Sequence, residues 1–281
     1  MSDMGILVEP VWLSAHLAEV RVVDLRWSLR GPPGRQLYDA GHVPGAVFVD
    51  LEHELTGVGP GRHPWPADED FAKALSRIGV GPRTPVVVYD ARDGSTAARL
   101  WFMLRAYGHA QAALLDGGYQ AWVAAGLPVS TEEPRIAPSP LQKLVLDKSR
   151  IVDAGQVQAR GATPLLDARA PERYRGETEP VDKKAGHIPG SINAPYAKNL
   201  DPQGRFLAPP LLRKLYESYK LHGSHDSPGG VITSCGSGVT ACHDIFAMEL
   251  AGLPPARLYV GSWSGWIEDP SRPIATGPEP G

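Results

Sequence analysis

The sequence predicts an α/β protein made of two similar domains in tandem, each a mainly parallel sheet flanked by helices. Three observations carry this: short apolar runs alternating with helical periodicity, motifs that return at near-constant spacing, and a proline-rich stretch between the two sets. The block Gly41-His42-Val43-Pro44-Gly45-Ala46 returns 145 positions on as Gly186-His187-Ile188-Pro189-Gly190-Ser191. Val86-Val87-Val88-Tyr89-Asp90 lines up with Val231-Ile232-Thr233-Ser234-Cys235 at the same offset. Val22-Val23-Asp24-Leu25-Arg26 matches Leu165-Leu166-Asp167-Ala168-Arg169 at 143, and Gly118-Tyr119-Gln120-Ala121-Trp122 matches Ser262-Trp263-Ser264-Gly265-Trp266 at 144. Four blocks in one order at nearly one spacing make the two halves a duplication.

The elements follow in order. In the first half, residues 20–24, 86–89 and 112–115 are apolar runs without alternation, as in strands covered on both faces. Helical spacing fills 71–78 and 95–107. Residues 130–140, Ser-Thr-Glu-Glu-Pro-Arg-Ile-Ala-Pro-Ser-Pro, have neither period and read as an extended, semi-rigid linker. The expected division is a first domain over 1–135, a linker over 136–147 and a second domain over 148–281. There, residues 164–167, 231–234 and 257–260 repeat the strands, and 211–221 and 239–250 the helices. Strands alternating with helices imply a parallel sheet, whose sites form beyond the carboxyl ends of its strands.

Composition narrows the class. The 281 residues carry a formal charge of -3, which excludes the polybasic footprint of a nucleic-acid binder. At 42% hydrophobic the chain can bury a core. No stretch approaches the ~20 apolar residues of a membrane helix, and Met1 to Pro10 lacks the pattern of a secretory signal. A soluble cytoplasmic enzyme or binding protein is expected, with neither nucleic acid nor membrane as partner.

The two cysteines, Cys235 and Cys242, are too few for a disulfide framework or a structural zinc site. Cys235 closes the predicted strand and precedes Gly236-Ser237-Gly238-Val239-Thr240-Ala241, then a helix. Strand, glycine loop and helix N-terminus make an anion cradle of inward N–H groups and helix dipole, which favours a thiolate. With no Lys or Arg in the loop, its positive potential is expected from backbone dipoles alone. A buried packing cysteine is the bland alternative. Cys242 lies two turns into an apolar helix and reads as a core residue, or else as a resolving thiol.

Such a cradle suits several chemistries. A cysteine phosphatase needs an Arg six positions after the cysteine, where this chain has Ala241. An acyl-transferring cysteine needs a His base, and His243 lies on the helix leading away from the loop. Attack on sulfur remains, giving a persulfide whose outer sulfur is anionic and can be held by N–H donors.

Along nearly its whole length the chain resembles the tandem-domain rhodanese-family sulfurtransferases. The resemblance rests on the His-(Val/Ile)-Pro-Gly motifs at His42 and His187, on the Asp-Leu-Arg and Asp-Ala-Arg strand ends, on the Cys235 loop, and on Gly261-Ser262-Trp263-Ser264-Gly265-Trp266. It implies two rhodanese-like domains, with a persulfide on the second-domain cysteine and no catalytic cysteine in the first, where Asp90 stands opposite Cys235. The loop Cys-Gly-Ser-Gly-Val-Thr-Ala is similar to that of the 3-mercaptopyruvate sulfurtransferases, whereas thiosulfate-type enzymes typically carry Arg and Lys directly after the cysteine.

The resemblance also implies roles. Cys235 is the nucleophile, and Ser237 helps to relay a proton, with His63 of Gly61-Arg62-His63-Pro64 nearby. Glu52 stands where the subfamily has an Asp, with Asp50 two positions earlier. Arg173 matches the arginine that holds the donor carboxylate, Arg175 is a neighbouring candidate, and the loop residues Gly236, Gly238, Val239, Thr240 and Ala241 line the cradle. The family's second donor arginine, expected after Glu179-Pro180, is absent, leaving Lys183 or Lys184 as point charges. No metal or organic cofactor is expected. The donor is a small sulfur compound, 3-mercaptopyruvate or alternatively thiosulfate, and the acceptor a thiol or cyanide, with thioredoxin a candidate. A non-catalytic rhodanese-like binding module is the alternative of another class. His42, His187, Asp24 and Asp167 recur in both halves although only one has the cysteine, so they read as structural, and Trp122, Trp263 and Trp266 as packing.

Overall fold

A computed structural model describes residues 4–221 and 230–281, so Met1–Asp3 of the N-terminal reading lies outside the described residues. The chain forms two compact units that are not continuous in sequence. The first takes residues 1–57, 66–147 and 202–206, and the second 58–65, 148–201 and 207–281.

The first unit holds strands β1 (Leu7–Val8), β2 (Arg21–Asp24), β3 (Val47–Phe48), β4 (Val86–Tyr89) and β5 (Ala112–Leu115). They pair in the order β1-β5-β4-β2-β3, all parallel. Every residue of β4 and β5 is buried, which is why these runs lack alternation. Leu13, Val22, Val87, Ala113, Leu115 and Trp122 form one core with neighbours from the flanking helices. Residues 136–147 stay extended, and Ser139, Gln142 and Asp147 hydrogen-bond to Ser76, Val80 and Ala106 of the first unit.

The second unit repeats the plan with β6 (Ile151–Val152), β7 (Leu165–Asp167), β8 (Ser191–Asn193), β9 (Ile232–Ser234) and β10 (Arg257–Tyr259). Their order is β6-β10-β9-β7-β8, again all parallel. The edge strands β1, β3, β6 and β8 span two or three residues each, too short to show a period in the sequence. The order in which the chain visits the sheet reverses between β7 and β9, so the carboxyl ends of these two strands flank the crevice that favours ligands in open α/β sheets. Asp167 ends one and Cys235 follows the other. No helix among the described residues is long and apolar enough to cross a membrane.

The recurring motifs hold turns in both units. His42 stacks on Tyr38 at 3.8 Å and bonds the Tyr38 carbonyl at 2.8 Å; His187 does the same with Tyr174 at the same two distances. Asp24 and Asp167 each accept the backbone N–H and forked guanidinium of the arginine two residues on, Arg26 or Arg169. Trp122 is wholly buried in the first core, and Trp263 and Trp266 lie in the second.

Candidate active site

Cys235 sits one residue past β9, 2% exposed. Gly238 turns the loop back with φ 77°, and a Cβ there would lie 2.5 Å from the Val260 carbonyl oxygen, so only glycine lets the loop close. Its N–H donates to Cys235 Sγ at 3.2 Å. Thr240 then leads into the helix Ala241–Leu250, whose N-terminus faces the same loop. From the other side, Ser262 Oγ accepts the Cys235 N–H at 3.0 Å and donates to the Tyr259 carbonyl at 2.9 Å. Ser262 does so at φ 49°, a left-handed conformation rare outside glycine.

Ser237 is buried and shares a 2.8 Å hydrogen bond with Nδ1 of His63, itself 3% exposed. The segment carrying His63 is held down locally. Gly61 N–H donates to Glu268, Arg62 N–H donates to Ser264, and a Cβ on Gly61 would meet the Gly261 carbonyl at 2.8 Å. The structure thus brings Ser237 and His63 together within the second unit, although residue 63 falls in the first domain, 1–135, that the sequence divides off.

The positive charge near the loop corrects the expectation of backbone dipoles alone. A Cβ on Gly236 would lie 2.8 Å from Nη2 of Arg62 and 3.5 Å from both terminal nitrogens of Arg173. The guanidiniums missing from the loop arrive from two other segments. Arg173 forks onto Glu179 at 2.7 and 3.2 Å and reaches Asp182 at 3.1 Å; Asp182 also pairs with Arg62. Arg169 lies beside them, 3.5 Å from Glu179 and over the ring of Trp263 at 4.8 Å. Burial works to lower the Arg169 pKa, but Asp167, Glu179 and Cys235 outweigh it and the value is raised. Burial likewise opposes ionisation of Glu179, yet its bonds from Arg173 and from the Asp182 and Val181 N–H groups leave its pKa lowered.

The other expected residues have these local settings. Arg175 gives its fork to Glu177 at 2.7 and 2.8 Å on the exposed surface. Glu52 belongs to the first unit, in the short helix Leu51–Glu54, where it accepts the indole N–H of Trp27 at 3.0 Å. Asp50 caps that helix by accepting the N–H groups of Glu52 and His53. Cys242 is fully buried with its thiol 3.4 Å from the Gly238 carbonyl, and His243 packs against Asn199 at 3.2 Å. Sequence reasoning missed Arg62, Asp182 and Ser262. Only Ser262 left a trace, because its repeat partner Gly118 holds the same left-handed turn at φ 55°.

The corresponding loop of the first unit is filled by a carboxylate. Asp90 follows β4 as Cys235 follows β9, and both its oxygens are filled. Oδ1 accepts the N–H groups of Arg92 and Gly94 at 3.1 and 3.0 Å, and Oδ2 those of Thr96 and Ala97 at 2.9 and 3.1 Å. Gly94 at φ 75° corresponds to Gly238, and Thr96 and Ala97 to Thr240 and Ala241. The first loop is one residue longer than the second between these points.

The rhodanese-like domain model matches the chain twice, over residues 9–125 and 149–269. The chain belongs to the rhodanese family. Among its relatives, a Pseudomonas aeruginosa protein named "Probable 3-mercaptopyruvate sulfurtransferase" is 44% identical over 277 residues, covering 94% of this chain and 96% of that one. The thiosulfate sulfurtransferase of Rattus norvegicus is 34% identical, covering 93% and 91%. Among solved structures, SseA of Escherichia coli, presented with the 3-mercaptopyruvate sulfotransferases, superposes with a TM-score of 0.80 at 29% identity, over 93% of this chain and all of that one. Two rhodanese-like domains, the second with its cysteine in a loop of N–H donors, make up this chain.

Proposed function

We propose that the chain is a sulfurtransferase that takes sulfur from 3-mercaptopyruvate onto Cys235 and passes it to a thiol or cyanide. The observation that carries this is the surrounding of Cys235: an N–H cradle on one side, and on the other the Ser237–His63 pair and a guanidinium from Arg173. The relatives named as mercaptopyruvate and thiosulfate sulfurtransferases support the same chemistry.

The thiolate attacks the donor's sulfur. The carbon–sulfur bond breaks, its electron pair stays on carbon as an enolate, and the donor's thiol proton ends on that carbon to give pyruvate. Ser237, bonded to His63, carries this proton, and Arg173 holds the donor's carboxylate. Cys235 is left as a persulfide. The path Cβ–Cγ–Oδ of an aspartate has as many atoms as the path Cβ–Sγ–Sδ of a cysteine persulfide, so the oxygens of Asp90 mark where an outer sulfur would lie in the equivalent loop. By that correspondence the N–H groups of Gly238, Thr240 and Ala241 receive it, with Gly236 and Val239 shaping the turn. A thiolate or cyanide then attacks the outer sulfur and releases Cys235. Thioredoxin is one thiol that would serve, and a reducing cytoplasm would keep Cys235 ready. Arg175, engaged by Glu177, has no step here.

Thiosulfate is the second reading, because guanidiniums above Gly236 suit a sulfonate as well as a carboxylate. A steady-state comparison of 3-mercaptopyruvate and thiosulfate as donors tests the preference, and a higher kcat/KM for thiosulfate would reverse it. Intact mass after donor addition tests the chemistry. One added sulfur is expected on the wild type and none on Cys235→Ser; a wild type that gains none would be a binding module.

A further inference from the structure

Arg62 reaches the cysteine loop from a segment 120 residues away from its partner Asp182. Its Nη1 pairs with one oxygen of Asp182, and the other oxygen takes Nη2 of Arg173 at 3.1 Å. Asp182, whose side chain is 5% exposed, thus holds two guanidiniums side by side that would otherwise repel. The nitrogens turned towards Gly236 are Nη2 of Arg62 and the terminal pair of Arg173. Both side chains remain partly open to solvent, 29% for Arg62 and 20% for Arg173, so a small anion can reach them.

The three atoms nearest the Gly236 position belong to Arg62 and Arg173, not to the lysines after Glu179-Pro180. Position 181 is a valine. The Lys184 carbonyl accepts the Trp263 indole N–H, and its charge acts on Asp269. Gly236 completes the case, since any side chain there would press on Arg62 within 2.8 Å. The loop has left empty the volume in which two arginine edges converge beside the nucleophile.

We propose that Arg62 is the second anion-binding residue of the donor site, closing with Arg173 on the donor's carboxylate in a clamp that Asp182 aligns. This rests on the sulfurtransferase reading above and names a residue for it. Two planar guanidiniums give a carboxylate more directional bonds than a lysine could, so the clamp selects donors that carry an anionic end.

The test compares two donors that differ only in that end: 3-mercaptopyruvate and mercaptoacetone, in which a methyl replaces the carboxylate. In Arg62→Gln, KM for 3-mercaptopyruvate should rise roughly 10- to 100-fold, the loss expected for a charge-assisted pair. Arg62→Lys should fall between the two, and kcat/KM for mercaptoacetone should stay within about 3-fold in both variants, since that donor never meets the clamp. The mercaptoacetone reaction also reports that the variants are folded. Equal losses with both donors would make Arg62 a structural residue, and an unchanged KM for 3-mercaptopyruvate would remove it from the site; either overturns the proposal. A KM rise in Lys183→Gln or Lys184→Gln without one in Arg62→Gln would hand the role to a lysine. If the wild type gains sulfur from neither donor, the mercaptopyruvate reading itself falls, and the clamp with it.

Discussion

Ser262 holds the backbone of Cys235 by accepting its N–H at 3.0 Å, from a φ of 49° that costs a serine about 1 kcal/mol or more. Its counterpart in the first unit, Gly118, meets the same turn without that cost. The second unit therefore carries strain where the nucleophile is, and the hydroxyl is what it gains. Ser262→Ala keeps the strain and leaves a buried N–H unpaired, costing roughly 1–3 kcal/mol. Ser262→Gly also loses the bond but relieves the strain, so it should melt above Ser262→Ala. Both should form the persulfide about tenfold more slowly than wild type if the bond aims the loop. Paired melting curves and single-turnover rates check this, and a wild-type rate in either variant would show that the bond aims nothing.

His63 and Ser237 should act on the proton and not on the sulfur. His63→Asn, which keeps a polar atom near the Ser237 hydroxyl, should lower kcat with 3-mercaptopyruvate by about 10²-fold, the usual share of general acid–base catalysis. Discharge of a preformed persulfide to cyanide needs no such proton and should change little. Rapid-quench measurement of the two half-reactions separates them, and equal losses in both would count against the assignment.

Asp244 predicts how the stability of the second unit depends on pH. Burial pushes its carboxyl up to about 8 from an ordinary 3.8, despite hydrogen bonds from Asn199 at 2.8 Å and Tyr216 at 3.3 Å. Below the ordinary value both folded and unfolded chains hold the proton. Between it and about 8 only the folded chain does, so the unfolded state binds fewer protons and stability falls as pH rises through that window. Asp244→Asn keeps the acceptor for Asn199 and removes this penalty. It should raise the unfolding free energy at pH 8 by roughly 2–4 kcal/mol, and by clearly less at pH 5, as denaturant titrations at the two values would report. An equal gain at both values would mean that the carboxyl does not titrate as its burial implies.

Asp90 predicts a defect confined to the first unit. Asp90→Ala leaves the N–H groups of Arg92, Gly94, Thr96 and Ala97 without their acceptor, at a cost of roughly 2–4 kcal/mol. Urea titration should show the loss, while folded protein still gains one sulfur at Cys235. Loss of that sulfur uptake at full folding would give Asp90 a part in the chemistry.

Much of this was legible in the sequence for definite reasons. The central strands are buried on both faces, so their apolar runs stand out, and the duplication marks each block twice. The turn from Cys235 to Ala241 was legible because its glycines sit between an apolar run and a helical period. The edge strands were not, being two or three residues long. Arg62 and Asp182 were not, because their meeting is a property of the folded chain: no local pattern ties residue 62 to residue 182. Asp244 was hidden for another reason, as a carboxylate in an apolar helix looks in sequence like a solvent-facing position, yet it is 1% exposed.

The carboxylate of Asp90 also fixes where the molecule is chemically vulnerable. A thiol that gains and loses sulfur is open to peroxide, alkylating agents and heavy metals, towards which a carboxylate is far less reactive. The first unit keeps the architecture of the second while offering such reagents no thiol. Inactivation should therefore follow a stoichiometry of one modification per chain, at Cys235, and a preloaded persulfide should direct the reagent to the outer sulfur, from which reduction can recover the enzyme.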